Sequence, residues 1–377
     1  MSRKRGFLDS YRRALTDLLA RAGITIDGDR PWDIRVRDQR MFRRVIGDGS
    51  VGAGESYMEG WWECARLDEM LRRVFAAGLD TKLPSWRDVL AALRSRLFNV
   101  QSRRRSFTVG ERHYDIGDDL YQRMLDRRMI YSCAYWRNAT ELDQAQEAKL
   151  DLVCRKLGLE RGMRVLDIGC GWGGAAQFAA ERYGVSVSGI TVSQHQAQIA
   201  AERCRGLPVN IILDDYRNLT GQFDRIFSLG MFEHVGLRNY RTYFATVRRL
   251  LASDGLFLLH TIGRNTSAES NDPWIERYIF PNSMLPSMAQ IATASEGLWV
   301  TEDWHGFGTY YDRTLMAWYE NFERRWSEIA SSYGERFHRM WRFWLLSSAA
   351  AFRSRRNQLW QLVLSPTGVP GGYREVR

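Results

Sequence analysis

From Arg164 onward, apolar and polar positions alternate between short strand-like runs and longer stretches of helical spacing. Val165, Leu166 and Ile168 make a compact apolar run suited to a strand buried on both faces. The pattern then predicts helices over 172–183, 194–204 and 237–251. Between them it predicts strands over 185–192, 208–213, 223–230 and 255–260. That order means a doubly wound α/β sheet. After His260 the rhythm breaks at an aromatic-rich insertion, DPWIERYIFPNSMLPS, of a kind that commonly makes a lid or substrate wall beside a sheet edge. A strand LWVTEDW, two helices rich in Trp, Tyr and Phe, and a closing strand LWQLVLS complete a seven-stranded sheet.

Ahead of this sheet the pattern is helical. Leu8, Tyr11, Leu15, Leu18 and Leu19 recur at near-helical spacing, with Arg3, Lys4, Arg5, Arg12 and Arg13 around them. Such a basic amphipathic helix either docks on its own domain or lies on a membrane. Tyr57, Met58, Trp61 and Trp62 crowd together before a helical stretch from Leu67 to Phe75, and read as the core of a small, mainly helical domain. A helix from Trp86 ends with Leu97, Phe98 and Val100 beside Arg103, Arg104 and Arg105. That mixture suits lipid headgroups and acyl chains, or is a solvated charge run. Glycines and a changing period follow, so a domain boundary is expected near residue 110. The expected division is a helical lipid- or membrane-binding domain with its linker over 1–110, and a catalytic domain over 111–377.

Composition narrows the partners. A chain of 377 residues accommodates one large domain and a small one. Its formal charge of +10 points to a polyanion, either nucleic acid or an anionic membrane, without choosing between them. The 5 cysteines are scattered and odd in number, which argues against a disulfide framework or a structural zinc site. No apolar run reaches the length that spans a bilayer, and the N-terminus lacks a signal-peptide core, so the expected location is the cytoplasm.

The densest chemistry lies in RVLDIGCGWGG, residues 164–174, read as strand, tight turn and helix start. Gly169, Gly171 and Gly174 satisfy GxGxxG, a spacing shared with dinucleotide folds. Asp167 stands at the strand end, and the next strand, VSVSGITVS, closes on Thr191 and Ser193 without the acid that holds an NAD ribose. The balance favours S-adenosylmethionine. Asp167 is then expected to organise the turn and the ligand's amino-acid end, with Gly169 and Gly171 making room for methionine and ribose. The third strand ends in Asp214, Asp215 and Tyr216, at the carboxyl edge where ligands bind, so Asp215 and Tyr216 are candidates for adenine.

Seven segments together, YSCAYW (131–136), VLDIGCGWGG, ITVSQHQ, GMFEHVG (230–236), LLHTIG (258–263), DPWIERYIFPN and TLMAWYENF, resemble the cyclopropane-fatty-acyl-phospholipid synthases over almost the whole chain. FEHVG, HTIG and YIFPN in this order mark those synthases and their mycolic-acid relatives, and GESYMEGWW favours the phospholipid-acting branch. The resemblance implies a class I methyltransferase fold that adds the methyl carbon of S-adenosylmethionine across a cis double bond of an unsaturated phospholipid. It implies a bicarbonate ion as general base, held by Cys133, Glu233, His260, the backbone of Ile262, and Tyr311. It places Tyr131 and Ser132 at the methionine carboxylate, Thr191 and Gln196 at the ribose, and Tyr216 at the adenine. Family analogy also suggests a homodimer; the basic segments are expected to attach it peripherally to the inner face of the membrane, and without a recognition module or an Asn/Asp-Pro-Pro-aromatic tetrapeptide no nucleic-acid partner is expected. Alternatives are an enzyme giving a methyl-branched product, one methylating a small-molecule amine, and an inactive lipid binder on the same fold.

Overall fold

A computed structural model describes residues 2–80 and 117–377. The chain packs into two compact units that interleave in sequence. One takes Met1–Phe98, Ser270–Pro281 and Leu315–Asn357; the other takes Asn99–Glu269, Asn282–Thr314 and Gln358–Arg377. The expected boundary near 110, the helix from Trp86, and Arg103, Arg104 and Arg105 lie outside the described residues.

The first unit is helical, with helices Ser2–Ala20, Arg40–Met58, Leu67–Ala76, Pro273–Tyr278 and Ala330–Arg353 and one small ribbon. That ribbon pairs β1 (Arg35–Val36) with β2 (Trp62–Glu63), antiparallel. Leu15 and Leu19 of the first helix are buried while Arg12 and Arg13 stay exposed, so its apolar stripe docks within its own unit. Tyr57, Met58 and Trp62 are core, and Trp61 carries the Arg40 guanidinium over its ring at 4.5 Å. The insertion expected beside the sheet edge divides. Its first part belongs to this helical unit, where Trp274 packs on Phe343 at 4.8 Å and so close to Gly54 that a Cβ there would lie 2.2 Å from the indole nitrogen. Tyr278 donates its hydroxyl proton to Glu55 at 2.8 Å. Among the described residues no helix is long and apolar enough to cross a membrane.

The second unit is built on the seven-stranded sheet. Its strands are β3 (Arg164–Ile168), β4 (Ser186–Thr191), β5 (Val209–Leu213), β6 (Phe223–Leu229), β7 (Leu251–Arg264), β8 (Val300–Gly306) and β9 (Asn357–Ser365). Their spatial order is β5-β4-β3-β6-β7-β9-β8, parallel from β5 to β7, with β8 antiparallel to β9. Successive residues point to opposite faces: Val165 joins the cluster of Val153, Phe178 and Leu258, while Leu166 and Ile168 join that of Phe244, Val247 and Leu259. Covering both faces is what makes the central strands read as apolar runs. The order reverses between β3 and β6, and the crevice outside the carboxyl ends of strands at such a reversal is where doubly wound sheets bind ligands.

Boundaries shift for local reasons. The helix expected from 172 begins at Gly174, because Gly173 is still left-handed (φ 81) at its N-cap. Residues 237–239 form a 3₁₀ turn before the helix Tyr240–Leu250. β7 starts four residues ahead of the expected Gly255, through polar Ser253 and Asp254, with a register shift against β6 at Phe223.

Candidate active site

The turn after β3 carries Gly169, Gly171 and Gly173 at φ 87, 53 and 81, a region open to glycine at little cost. Packing separates these glycines. A Cβ on Gly169 would approach Met231 to 2.8 Å and one on Gly174 the Arg128 carbonyl oxygen to 2.1 Å, whereas one on Gly171 would meet nothing within 4 Å. Gly171 therefore borders open space at the strand edge. Beside it, Asp167 is buried, its Oδ2 has no hydrogen-bond partner among the described residues, and burial pushes its carboxyl up to about 8. An orphaned buried carboxyl of this kind suits a ligand's cation or N–H, as the amino-acid end of S-adenosylmethionine provides.

The expected cofactor residues gather at the same edge. The Tyr131 ring meets that of Trp172, from the glycine turn, edge-on at 6.4 Å. Ser132 lies by the end of β6, since a Cβ on Gly230 would be 3.7 Å from its own. At the end of β4, the Thr191 hydroxyl donates to Gln196 Oε1 at 3.1 Å and accepts the Ser193 amide at 3.2 Å, so the two expected ribose residues are already joined. Asp215 follows β5, but both of its carboxylate oxygens accept from Arg217, Nε to Oδ1 at 2.7 Å and Nη2 to Oδ2 at 2.5 Å. That carboxylate is thus committed to a buried ion pair and supports the turn. Tyr216 is buried edge-on against Tyr243 at 5.3 Å.

A second polar group lies after β6 and on β7. Glu233 sits on the 3₁₀ turn Phe232–His234, where its Oε1 accepts the Ile262 amide at 2.7 Å and its Oε2 has no partner among the described residues. Burial pushes its carboxyl up to about 7. The Ile262 N–H expected to hold an anion is therefore engaged by Glu233. His260, in β7, is buried, with Gln361 Nε2 at 3.3 Å from its Nδ1 and no partner at Nε2 among the described residues. Desolvation, with Lys149 and Lys156 adding to it, holds its pKa well below the usual value. A neutral ring that accepts from the Gln361 amide carries its proton at Nε2. The Cys133 thiol donates to the Ala134 carbonyl at 3.2 Å, and burial pushes it up, so it stays protonated. Tyr311 is held well above its ordinary value, chiefly by burial, and is a neutral phenol. An unpartnered acceptor and an unpartnered N–H, both buried, fit a small oxyanion that has one O–H of its own.

Sequence reasoning missed the groups beneath this edge. On helix Leu142–Lys156, Gln146 Nε2 donates to the Ser132 carbonyl at 2.9 Å and Lys149 Nζ to Ser132 Oγ at 2.9 Å. Lys156 donates to Asp303 Oδ2 at 2.9 Å. A signal was present: Ala145, Lys149, Leu152 and Lys156 follow one helical stripe, which sets two lysines at core positions.

The likeness to known proteins agrees with this geometry. A family described as mycolic acid cyclopropane synthetase matches residues 101–362. The cyclopropane-fatty-acyl-phospholipid synthase of Escherichia coli (strain K12) is 56% identical over 370 residues, 98% of this chain and 97% of its own. Two solved structures, the cyclopropane synthase MmaA2 from Mycobacterium tuberculosis and the mycolic acid cyclopropane synthase CmaA1 complexed with SAH and CTAB, each align with a TM-score of 0.64 at 31% identity, over 68% of this chain and 97% of theirs. With the seven-stranded methyltransferase sheet, the glycine turn and the buried polar groups at its edge, this chain belongs to the cyclopropane-fatty-acyl-phospholipid synthase family and is a methyltransferase.

Proposed function

We propose that the protein transfers a methylene group from S-adenosylmethionine to the cis double bond of an unsaturated phospholipid acyl chain, giving a cyclopropane. The observation that carries this reading is the pair of buried, unpartnered atoms, Glu233 Oε2 and His260 Nε2, at the strand edge that also bears Asp167 and Gly171. Methyl transfer to an amine or oxygen also releases a proton, but solvent can take it, so that reaction does not require a base sealed from water. An alkene does: as it attacks the sulfonium methyl, one C–C bond forms, the C–S bond breaks, and a cation develops on the acyl chain. That cation must lose a proton from the new methyl group, closing the ring, before water captures it.

S-adenosylmethionine supplies the electrophilic carbon. Asp167 would hold its ammonium, Tyr131 and Ser132 its carboxylate, Thr191 and Gln196 its ribose, and the turn at Asp215 and Tyr216 its adenine, with Gly169 and Gly171 leaving the backbone close to it. Bicarbonate would supply a base small enough to leave room for an acyl chain, and Cys133, Glu233, His260 and Tyr311 are the residues that would hold it, with Ile262 acting only through Glu233. His260 Nε2–H would donate to such an ion and Glu233 Oε2 would accept from it, while the Ile262 amide fixes the Glu233 carboxylate. The helical unit, with its basic first helix, would bring a homodimer to the inner face of an anionic membrane.

The deciding experiment incubates the protein with labelled S-adenosylmethionine and vesicles of unsaturated phospholipid, then examines the acyl chains by mass spectrometry and proton NMR. Cyclopropane protons and loss of olefinic signal are expected. A methyl-branched chain, label confined to the headgroup, or no transfer would overturn the reading, and a rate unchanged by removing bicarbonate would overturn its bicarbonate component.

A further inference from the structure

Lys149 has no part in the chemistry proposed above, yet it is wholly buried at the edge where that chemistry is placed. An ammonium has three protons to donate and accepts nothing, so taking one out of water is costly unless its surroundings answer the charge. Its hydrogen bond is to Ser132 Oγ at 2.9 Å, and it interacts electrostatically with Asp126, Cys133 and Asp167. Asp126 is already committed: its Oδ1 accepts the Ile130 amide at 2.8 Å and its Oδ2 the Arg128 amide at 2.9 Å, which fixes the turn leading to Ser132. Asp167 still has an unpartnered oxygen among the described residues.

Three residues before Lys149 on the same helix face, Gln146 Nε2 donates to the carbonyls of Ser132 at 2.9 Å and Ile130 at 3.3 Å. One helix thus holds both the backbone and the side chain of Ser132. Because Lys149 only donates, Ser132 Oγ must accept from it, and the serine's own O–H is left to donate elsewhere. A hydroxyl set as a donor with a positive charge behind it is matched to an anion. We infer that Lys149 is the positioning residue of a carboxylate subsite: it fixes Ser132 as a hydrogen-bond donor and supplies the charge facing the methionine carboxylate of the donor, while Asp167 takes the ammonium of the same zwitterion. The inference rests on the proposed placement of that carboxylate at Ser132.

Calorimetric titration with two ligands tests it. S-adenosylhomocysteine carries the amino-acid end; methylthioadenosine keeps adenine and ribose but lacks that end. Wild-type protein that binds neither ligand would mean that the cofactor reading itself has failed. Given binding, Lys149→Met is expected to weaken S-adenosylhomocysteine by about 10- to 100-fold, the worth of a hydrogen bond to a charged group, with methylthioadenosine changed by less than about 2-fold. Ser132→Ala should show the same selective loss, and adding it to Lys149→Met should cost little more, since the two act as one unit. Equal loss of both ligands, unchanged S-adenosylhomocysteine affinity, or strict additivity would overturn the inference. Should Lys149→Met not fold, Ser132→Ala alone decides by the same contrast, without disturbing the buried charge.

Discussion

Replacing Glu233 with glutamine is expected to stabilise the protein at alkaline pH while disabling it. The carboxyl is buried, one oxygen is held by the Ile262 amide at 2.7 Å, and the other has no partner among the described residues. Burial lifts its pKa from 4.5 to about 7. At about 1.4 kcal/mol per unit, ionising it inside the fold costs on the order of 3 kcal/mol more than in the unfolded chain. Because the folded pKa lies above the unfolded one, stability from this group is whole below 4.5, declines as pH rises toward 7, and is flat above. Glutamine keeps an oxygen for the Ile262 amide and never ionises. The variant should therefore gain about 3 kcal/mol over wild type at pH ~8.5 and almost nothing at pH ~4.5. Urea unfolding of both proteins at the two pH values, at matched m, measures the gap, and turnover of unsaturated vesicles in the same preparations should be lost. An equal gap at both pH values, or a less stable variant at pH ~8.5, would show that the ionised carboxylate is compensated and would refute the reasoning.

Gly171→Ala should destabilise the fold only by the strain of a left-handed alanine, about 1–2 kcal/mol, whereas Gly174→Ala meets the Arg128 carbonyl and should cost clearly more; Gly171→Val should in addition lose S-adenosylhomocysteine binding. Melts with and without ligand separate the two effects, and equal destabilisation by both alanines would contradict the packing. Calorimetry of S-adenosylmethionine binding at pH ~6.5, repeated in buffers of different ionisation enthalpy, should show proton release, because the ligand's ammonium brings down an Asp167 carboxyl otherwise near 8. Asp167→Asn should abolish that buffer dependence, and a wild type without it would contradict the assignment. Sedimentation with anionic vesicles should exceed that with neutral ones and fall as salt rises, and equal sedimentation at low salt would count against charge-driven attachment.

The sheet was legible because its central strands are covered on both faces and read as short apolar runs, and the alternation with helices then restricts the topology. The composition of the helical unit was not. Nothing local in DPWIERYIFPN says that Trp274 packs on Gly54 and Phe343, more than sixty residues away along the chain in the nearer case; aromatic residues next to prolines read equally well as a surface wall. Such a contact is a property of two distant surfaces fitting, and periodicity carries no record of it. At the site, the glycine-turn motif singled out Asp167 and the resemblance Glu233 and His260, all buried at or just after sheet strands. Neither could say that Asp215 spends its carboxylate on Arg217, although the two-residue spacing made that pair visible, nor that Ile262 gives its amide to Glu233.

The groups that sequence passed over and those it found share one physical condition. Asp167 and Glu233 are pushed up toward neutrality, Lys149 is brought down to about 8, and His260 is lowered, each chiefly by loss of water. A fold selected for stability alone would replace such groups with apolar ones of similar size, since desolvated charges usually weaken a core. Here they are not scattered: they lie on β3, on the turn after β6, on β7 and on the one helix that holds Ser132. The ligand proposed for that edge is a zwitterion attached to a sulfonium, and the reaction adds a transient carbocation. On that proposal the unpartnered atoms of Asp167, Glu233 and His260 would find partners only when donor and acyl chain are present, so the cost borne by the free protein would become selectivity for the bound and reacting state. On this reasoning Lys149 and Asp167 belong to binding and Glu233 and His260 to chemistry, and substitutions in the two pairs should part cleanly into lost donor affinity and lost turnover.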